Sequence, residues 1–292
     1  MSVLVGLIVM LGMLVIVPSG LRLADAPDLD RIRRLWLVFA VPGAVALWLP
    51  RGPLATVLAL GYGLGAVLLA LHAPARIVRR PGPLLSWRTA PAEIALLTAL
   101  SAPAVSAVAL VAERSGRPLF GFGLGILALT VPHFHFAGFA AALVAGLVGR
   151  VVDSAAGRFA ALSVPLGTLL VLTGYFIGDW AELAGAVVLT AGMWTVALLT
   201  WRTVRPAARD RTTGLLLAAS AAVLAATMAL ALSWALGEAT GLPHPTLTWM
   251  AATHGVGNAL GFALCSVLAW QRLNPRSAHE ETREGTHEGR TA

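Results

Sequence analysis

An all-α bundle of about nine helices crossing a membrane is the fold class this sequence predicts, and three observations predict it. Of 292 residues, 58% are hydrophobic and 12% charged, with mean hydropathy +0.80, whereas a soluble domain carries about 25% charged residues. The apolar residues gather into nine stretches approaching or exceeding the roughly 20 residues a helix needs to cross a bilayer core of about 30 Å. The arginines are concentrated in alternate gaps between those stretches. A soluble globule is excluded, because so few polar side chains cannot cover a water-facing surface. Residues 1–270 therefore read as one transmembrane domain, and the polar segment 271–292, without hydrophobic periodicity, reads as a disordered cytoplasmic tail.

In chain order the stretches run Val3–Val17, Leu35–Leu49, Pro53–Leu71, Pro91–Ala112, Leu119–Gly149, Phe159–Ile177, Ala181–Thr200, Thr212–Leu236 and Leu247–Trp270. The first two are short for a full span, and Pro42 is expected to kink the second. Leu4 to Val17 followed by Ala24-Asp25-Ala26 imitates a signal peptide, but it lacks a positive leading segment and is read as a retained helix. Every loop is shorter than about 20 residues, leaving no room for a soluble domain. Internal repeats of the transporter kind are neither evident nor excluded.

Charge sets the expected orientation, because cytoplasmic loops retain arginine. With the N-terminus outside and the C-terminus inside, the inner segments hold 18 of the 21 arginines, and only Arg51, Arg114 and Arg117 fall outside. The net charge of +7 comes from arginine alone, since the chain has no lysine. It serves topology and contact with the lipid bilayer rather than nucleic acid, for which no recognition motif is present. Cys265, the one cysteine, cannot form an intrachain disulfide. Arginine-only, alanine-rich composition points to a bacterium with a GC-rich genome and so to its cytoplasmic membrane. Oligomeric state is not readable.

Ionisable groups inside spans are costly and mark functional candidates. The fifth stretch carries His133-Phe134-His135 beside Pro132; residues two apart leave a helix about 200° from each other, so the two imidazoles face different neighbours. Gly138, Ala142 and Gly146 follow on the His135 side as a smooth face suited to helix packing or a flat ligand. In the ninth stretch, His254, Asn258 and Gly261 share one face, and the amide oxygen is expected to accept the imidazole N–H. Glu93 opens the fourth stretch. These five groups, His133, His135, His254, Asn258 and Glu93, are the candidate binding residues, open to three readings: hydrogen bonds between helices, handling of a small solute or proton, or ligation of a transition metal or haem through His133, His135 and His254. Asp179 and Glu182 are expected to be water-exposed caps. Trp36, Trp180, Trp201 and Trp270 are expected interface anchors. No hydrolase, nucleotide-binding or metalloprotease motif is present, and Ser101, Ser106, Ser163 and Ser220 show no neighbouring base, so an enzyme is not the favoured class.

The string Gly121-Phe122, Leu129-Thr130 and His133-Phe134-His135-Phe136-Ala137-Gly138-Phe139, together with His254-Gly255, Asn258-Ala259 and Gly261-Phe262, resembles the YndJ-like family of bacterial membrane proteins from about Pro91 to Trp270. That resemblance implies a polytopic membrane protein of transporter type without a settled substrate. The His-Phe-His string is also similar to the haem-ligating helix of haem-copper oxidases. The histidine pair of their copper site is missing, which excludes a terminal oxidase and leaves a single haem between His254 and His133 or His135 as the redox alternative. The third class is a structural or assembly protein without a small-molecule site.

Overall fold

A backbone in hydrocarbon must satisfy its own N–H and C=O groups, and a helix does this within one segment. The computed structural model describes residues 2–24, 26–79 and 89–273, and within them eight helices are long and apolar enough to cross a membrane. They are α1 (Val3–Leu23), α3 (Pro53–Val78), α4 (Ala90–Arg114), α5 (Leu124–Val151), α6 (Ala155–Ile177), α7 (Asp179–Ala207), α8 (Arg211–Thr240) and α9 (Leu247–Leu273). The ninth, α2 (Asp30–Ala46), has 17 residues and would reach about 25 Å. The expected tail beyond Leu273, and Arg80 and Arg88 of the charge pattern, lie outside the described residues.

Helix α5 is the axis of the bundle. Of its most apolar window 83% is buried, against 28–56% in the seven other candidate spans. Helices α4, α6, α1 and α9 all touch it, which explains why it could carry small residues along its length. A Cβ on Gly138 would lie 2.7 Å from the Cβ of Ala102, and one on Gly146 3.2 Å from the carbonyl oxygen of Ala92. The smooth face of α5 is thus occupied by α4. The hairpin of α6 and α7 is tighter still, because Gly167, Gly174 and Gly185 let two backbones meet: a Cβ on Gly167 would sit 2.6 Å from the Cα of Leu189.

Several boundaries differ from the sequence reading. Helix α2 starts at Asp30, earlier than its apolar run, and accommodates Arg31, Arg33 and Arg34 in its first turns; Pro42 sits inside it without ending it. Residues Leu119 to Phe122 are not the start of the fifth span but a tight turn, with Phe120 at φ 52° and Gly121 at φ 84° and the two flanking residues exchanging backbone hydrogen bonds. Trp36 is not an interface anchor. It is fully buried, and its Nε1–H donates to the carbonyl of Met13 at 2.7 Å. Glu182 is buried rather than a water-exposed cap, held beside Tyr175 by a side-chain hydrogen bond.

Four helices contain stretches in π register: Gly12–Ile16 in α1, Phe134–Ala140 in α5, Thr200–Val204 in α7, and Ala251–Gly255 with Gly257–Leu264 in α9. The stretches in α1 and α5 touch each other and Gly257–Leu264 of α9. Such stretches are rare and frequently accompany functional sites.

At the start of α8, Asp210 accepts hydrogen bonds from the backbone and hydroxyl of Thr213 and pairs with Arg272 of α9. These contacts, the Thr213 backbone N–H first, hold its carboxyl down to about 2. A depressed carboxylate contributes above its ordinary value, about 3.9, and the contribution is lost as pH falls through about 2. Hydrogen exchange at the Thr213 amide, corrected for its intrinsic rate, should stay slow from pH 8 to pH 4, and Asp210→Ala should speed it throughout that range. For the tight hairpin, Gly167→Ala should lower stability in detergent by ~1–3 kcal/mol, whereas Gly125→Ala, with open space around it, should leave the thermal unfolding midpoint unchanged or slightly raised.

Candidate functional site

The interior polar groups fall into two separate sets. The first centres on His135, which has no exposed surface. Its Nδ1 lies 2.7 Å from the carbonyl oxygen of Val131, and its Nε2 lies 2.7 Å from the hydroxyl of Tyr62. A carbonyl only accepts, so Nδ1 carries the proton and Nε2 accepts from the tyrosine. Ser106 donates to the same carbonyl at 2.9 Å. Contrary to the sequence reading, this serine does stand near an imidazole, 3.0 Å from Nδ1, but its hydroxyl is committed to Val131 and has no base to activate it. Tyr62 in turn packs edge-on against Trp36, and Gly12 of α1 is opposed to the Cβ of His135. Five helices, α1 to α5, meet at this point.

The second set lies between α8 and α9. Nδ1–H of His254 donates to the carbonyl of Thr227 at 2.8 Å, and Nε2 accepts from Nδ2 of Asn258 at 3.0 Å. The amide oxygen of Asn258 accepts from the hydroxyl of Thr227 at 2.8 Å. The expected direction of the His254–Asn258 bond is therefore reversed: the amide donates, because its oxygen is taken by Thr227. Gly257 and Gly261 bring this face against Thr227 and Val223 of α8, so His254 and Asn258 look toward α8.

His133 connects the two sets only loosely. It stands within electrostatic range of His254, its ring meets Phe134 edge-on, and it forms no hydrogen bond with any described residue. The ring is half-buried, and its nitrogens are not sealed from the surface. Of the three histidines expected to act together, the structure brings His133 near His254 and turns His135 into the α1–α4 side.

Glu93 belongs to neither set. It pairs with Nε of Arg76 at 3.0 Å, and Arg76 pairs through its Nη1 with Asp28 at 2.7 Å. Thirteen residues of helix separate Glu93 from Ser106, about 20 Å along α4. An ionic group at the opposite end of α4 was not foreseen: Glu113, fully buried, takes Arg51 and Arg114, while Arg114 reaches the carbonyls of Ala46, Leu47 and Leu49 that α2 leaves open at its C-terminus. Two of the three arginines assigned to the outer side thus share one buried carboxylate, which offsets one of their two charges.

The donors present do not suit haem or metal ligation. Both nitrogens of His135 and both of His254 are engaged by protein groups, and the small-residue face beside His135 is filled by α4. No group of three or more His, Cys, Asp or Glu among the described residues could hold a metal ion. A bis-histidine haem does not fit this arrangement.

Residues 7–262 match the family of YndJ-like proteins. The chain belongs to that family. It is 26% identical over 152 residues to the uncharacterized membrane protein YndJ of Bacillus subtilis (strain 168), a match covering 51% of this chain and 27% of that relative, so the chain matches about a quarter of the relative's length. No solved structure matches. Family membership and eight apolar helices together make this a multi-pass membrane protein of the YndJ-like family.

Tyr62 and Trp36 had no motif to announce them; their only signal was a polar aromatic within an apolar run. The Tyr62–His135 bond can be tested directly. Tyr62→Phe removes the donor and leaves a buried Nε2 acceptor unmatched, so equilibrium unfolding in mixed micelles should show a loss of ~1–2 kcal/mol. Ser106→Ala should cost less, because Val131 keeps the imidazole N–H.

Proposed function

We propose that this chain is a membrane transporter of the YndJ-like type in which His133, beside His254 and Asn258, binds a proton or small solute between α5 and α9. The supporting observation is the contrast among three intramembrane imidazoles. His135 and His254 each have both ring nitrogens held by protein hydrogen bonds, whereas His133 bonds to no described residue and lies near a second imidazole. An imidazole is the side chain whose ordinary titration falls nearest neutral pH, and an uncommitted one within a span has the chemistry to pick up and release a proton.

The five candidate residues divide accordingly. His133 is the binding group, His254 and Asn258 form its neighbouring wall, His135 joins helices, and Glu93 closes an ionic clasp. The proposed setting is the bacterial cytoplasmic membrane, with the N-terminus outside and the arginine-rich loops in the cytoplasm, following the charge rule.

Reconstituted into proteoliposomes with an internal pH-sensitive dye and an imposed pH gradient, the intact protein should dissipate the gradient faster than empty liposomes. His133→Ala should lower that rate at least about tenfold, the upper part of the range for a lost acid–base group being larger still. Gly125→Ala should match the parent. A rate unchanged by both His133→Ala and His254→Ala would remove the proposal.

A further inference from the structure

Away from the histidines, the outer faces of α7 and α8 enclose a groove of about 410 Å³. Trp194, Leu198 and Trp201 of α7 form one wall, and Ala221, Ala222 and Ala225 of α8 form the floor and far side. Trp194 to Trp201 covers seven residues, about 10 Å along the helix. Trp194 is held across the groove by donating its Nε1–H to the carbonyl of Ala225 at 3.1 Å. This places an indole well inside the span rather than at its end, where interface anchors sit.

Two arginines, Arg202 and Arg205, follow the wall residue Trp201 within one turn of α7. Arg205 lies over the ring of Trp201, 4.4 Å from its centroid, an interaction that fixes the guanidinium without using its hydrogen-bond donors. Arg202 follows Leu198 by four residues and is exposed. Neither forms an ion pair with a described residue, and Asp210, the nearest carboxylate in sequence, is already taken by Arg272 and Thr213. Arg51, Arg76 and Arg114, near other helix ends, are by contrast matched by carboxylates.

We infer that the α7–α8 groove is a binding site for one anionic phospholipid, its acyl chain lying between Trp194 and Trp201 and its phosphate on Arg202 and Arg205. Apolar walls exposed toward the bilayer suit a hydrocarbon chain. Guanidinium groups beside them that form no ion pair with a described residue offer the forked donors that phosphate oxygens accept in pairs. The combination selects a lipid over a free anion, because a free anion would use only the arginines and leave the indole-walled groove without an occupant.

The test is native mass spectrometry of the intact protein released from detergent, titrated with phosphatidylglycerol and with phosphatidylcholine of identical acyl chains. One phosphatidylglycerol should be retained with at least about tenfold preference, equivalent to roughly 1.4 kcal/mol. The double substitution Arg202→Gln with Arg205→Gln should bring the two lipids to parity. Ala222→Phe, at an exposed position on the groove floor, should remove the retained lipid while leaving the thermal unfolding midpoint near that of the parent. Equal retention of both lipids by the parent protein, or undiminished phosphatidylglycerol in Ala222→Phe, overturns the assignment. So does a dimer that forms without lipid and is abolished by Ala222→Phe, since the groove would then hold a second copy of the chain.

Discussion

The buried imidazole of His135 imposes the constraint around which this bundle is built. A ring with two nitrogens, placed on the most enclosed helix, leaves two polar atoms to satisfy in a medium where an unmatched one costs several kcal/mol. One is met by the carbonyl of Val131, on the same helix, and the other by Tyr62 from α3. Tyr62 then has to be positioned, which Trp36 does by packing against it; Trp36 has its own N–H to satisfy, and the carbonyl of Met13 in the π stretch of α1 accepts it. A chain of obligations thus runs through four helices from one residue. Small residues make this geometry possible, since Gly12 and Gly43 admit the His135 and Tyr62 side chains at distances no Cβ would permit.

At the ends of the bundle the same economy applies to charge. Arg114 donates to three carbonyls at the open C-terminus of α2, and Glu113 beside it compensates the buried guanidinium. Arg76 ties the entry to α2 to the start of α4 through Asp28 and Glu93. These arginines act as caps and clasps between helices. This matters because arginine counted along the sequence includes groups whose charge is partly offset by a carboxylate inside the fold.

Most of the architecture was legible because hydropathy and arginine placement are properties of the chain itself: the nine helical segments follow their apolar runs, with α2 displaced by the arginines it absorbs and α5 shortened by the turn at Phe120 and Gly121. Much less of the site could be read. Helical spacing puts His133 and His135 on different sides, yet it does not say which neighbour each meets, and the partners Tyr62, Ser106 and Thr227 come from other helices. The direction of the His254–Asn258 bond depended on Thr227 claiming the amide oxygen, a third-party contact no single-helix argument contains. Glu113 was missed because a carboxylate next to an arginine at a helix end looks like an ordinary solvated pair.

Committed and uncommitted imidazoles alike lie in or beside the π stretches. In π register, backbone N–H groups reach one residue farther back, and carbonyls near the start of the stretch become available to side chains. Val131 stands just before Phe134–Ala140, and its carbonyl receives both His135 and Ser106. His133, one residue before that stretch, is on the opposite side of the helix and gains no such acceptor. His133 instead lies within electrostatic range of His254 of α9, whose own π stretches contain His254 and Asn258. A single His-Phe-His string thus supplies one ring locked into the bundle and one that bonds to no described residue.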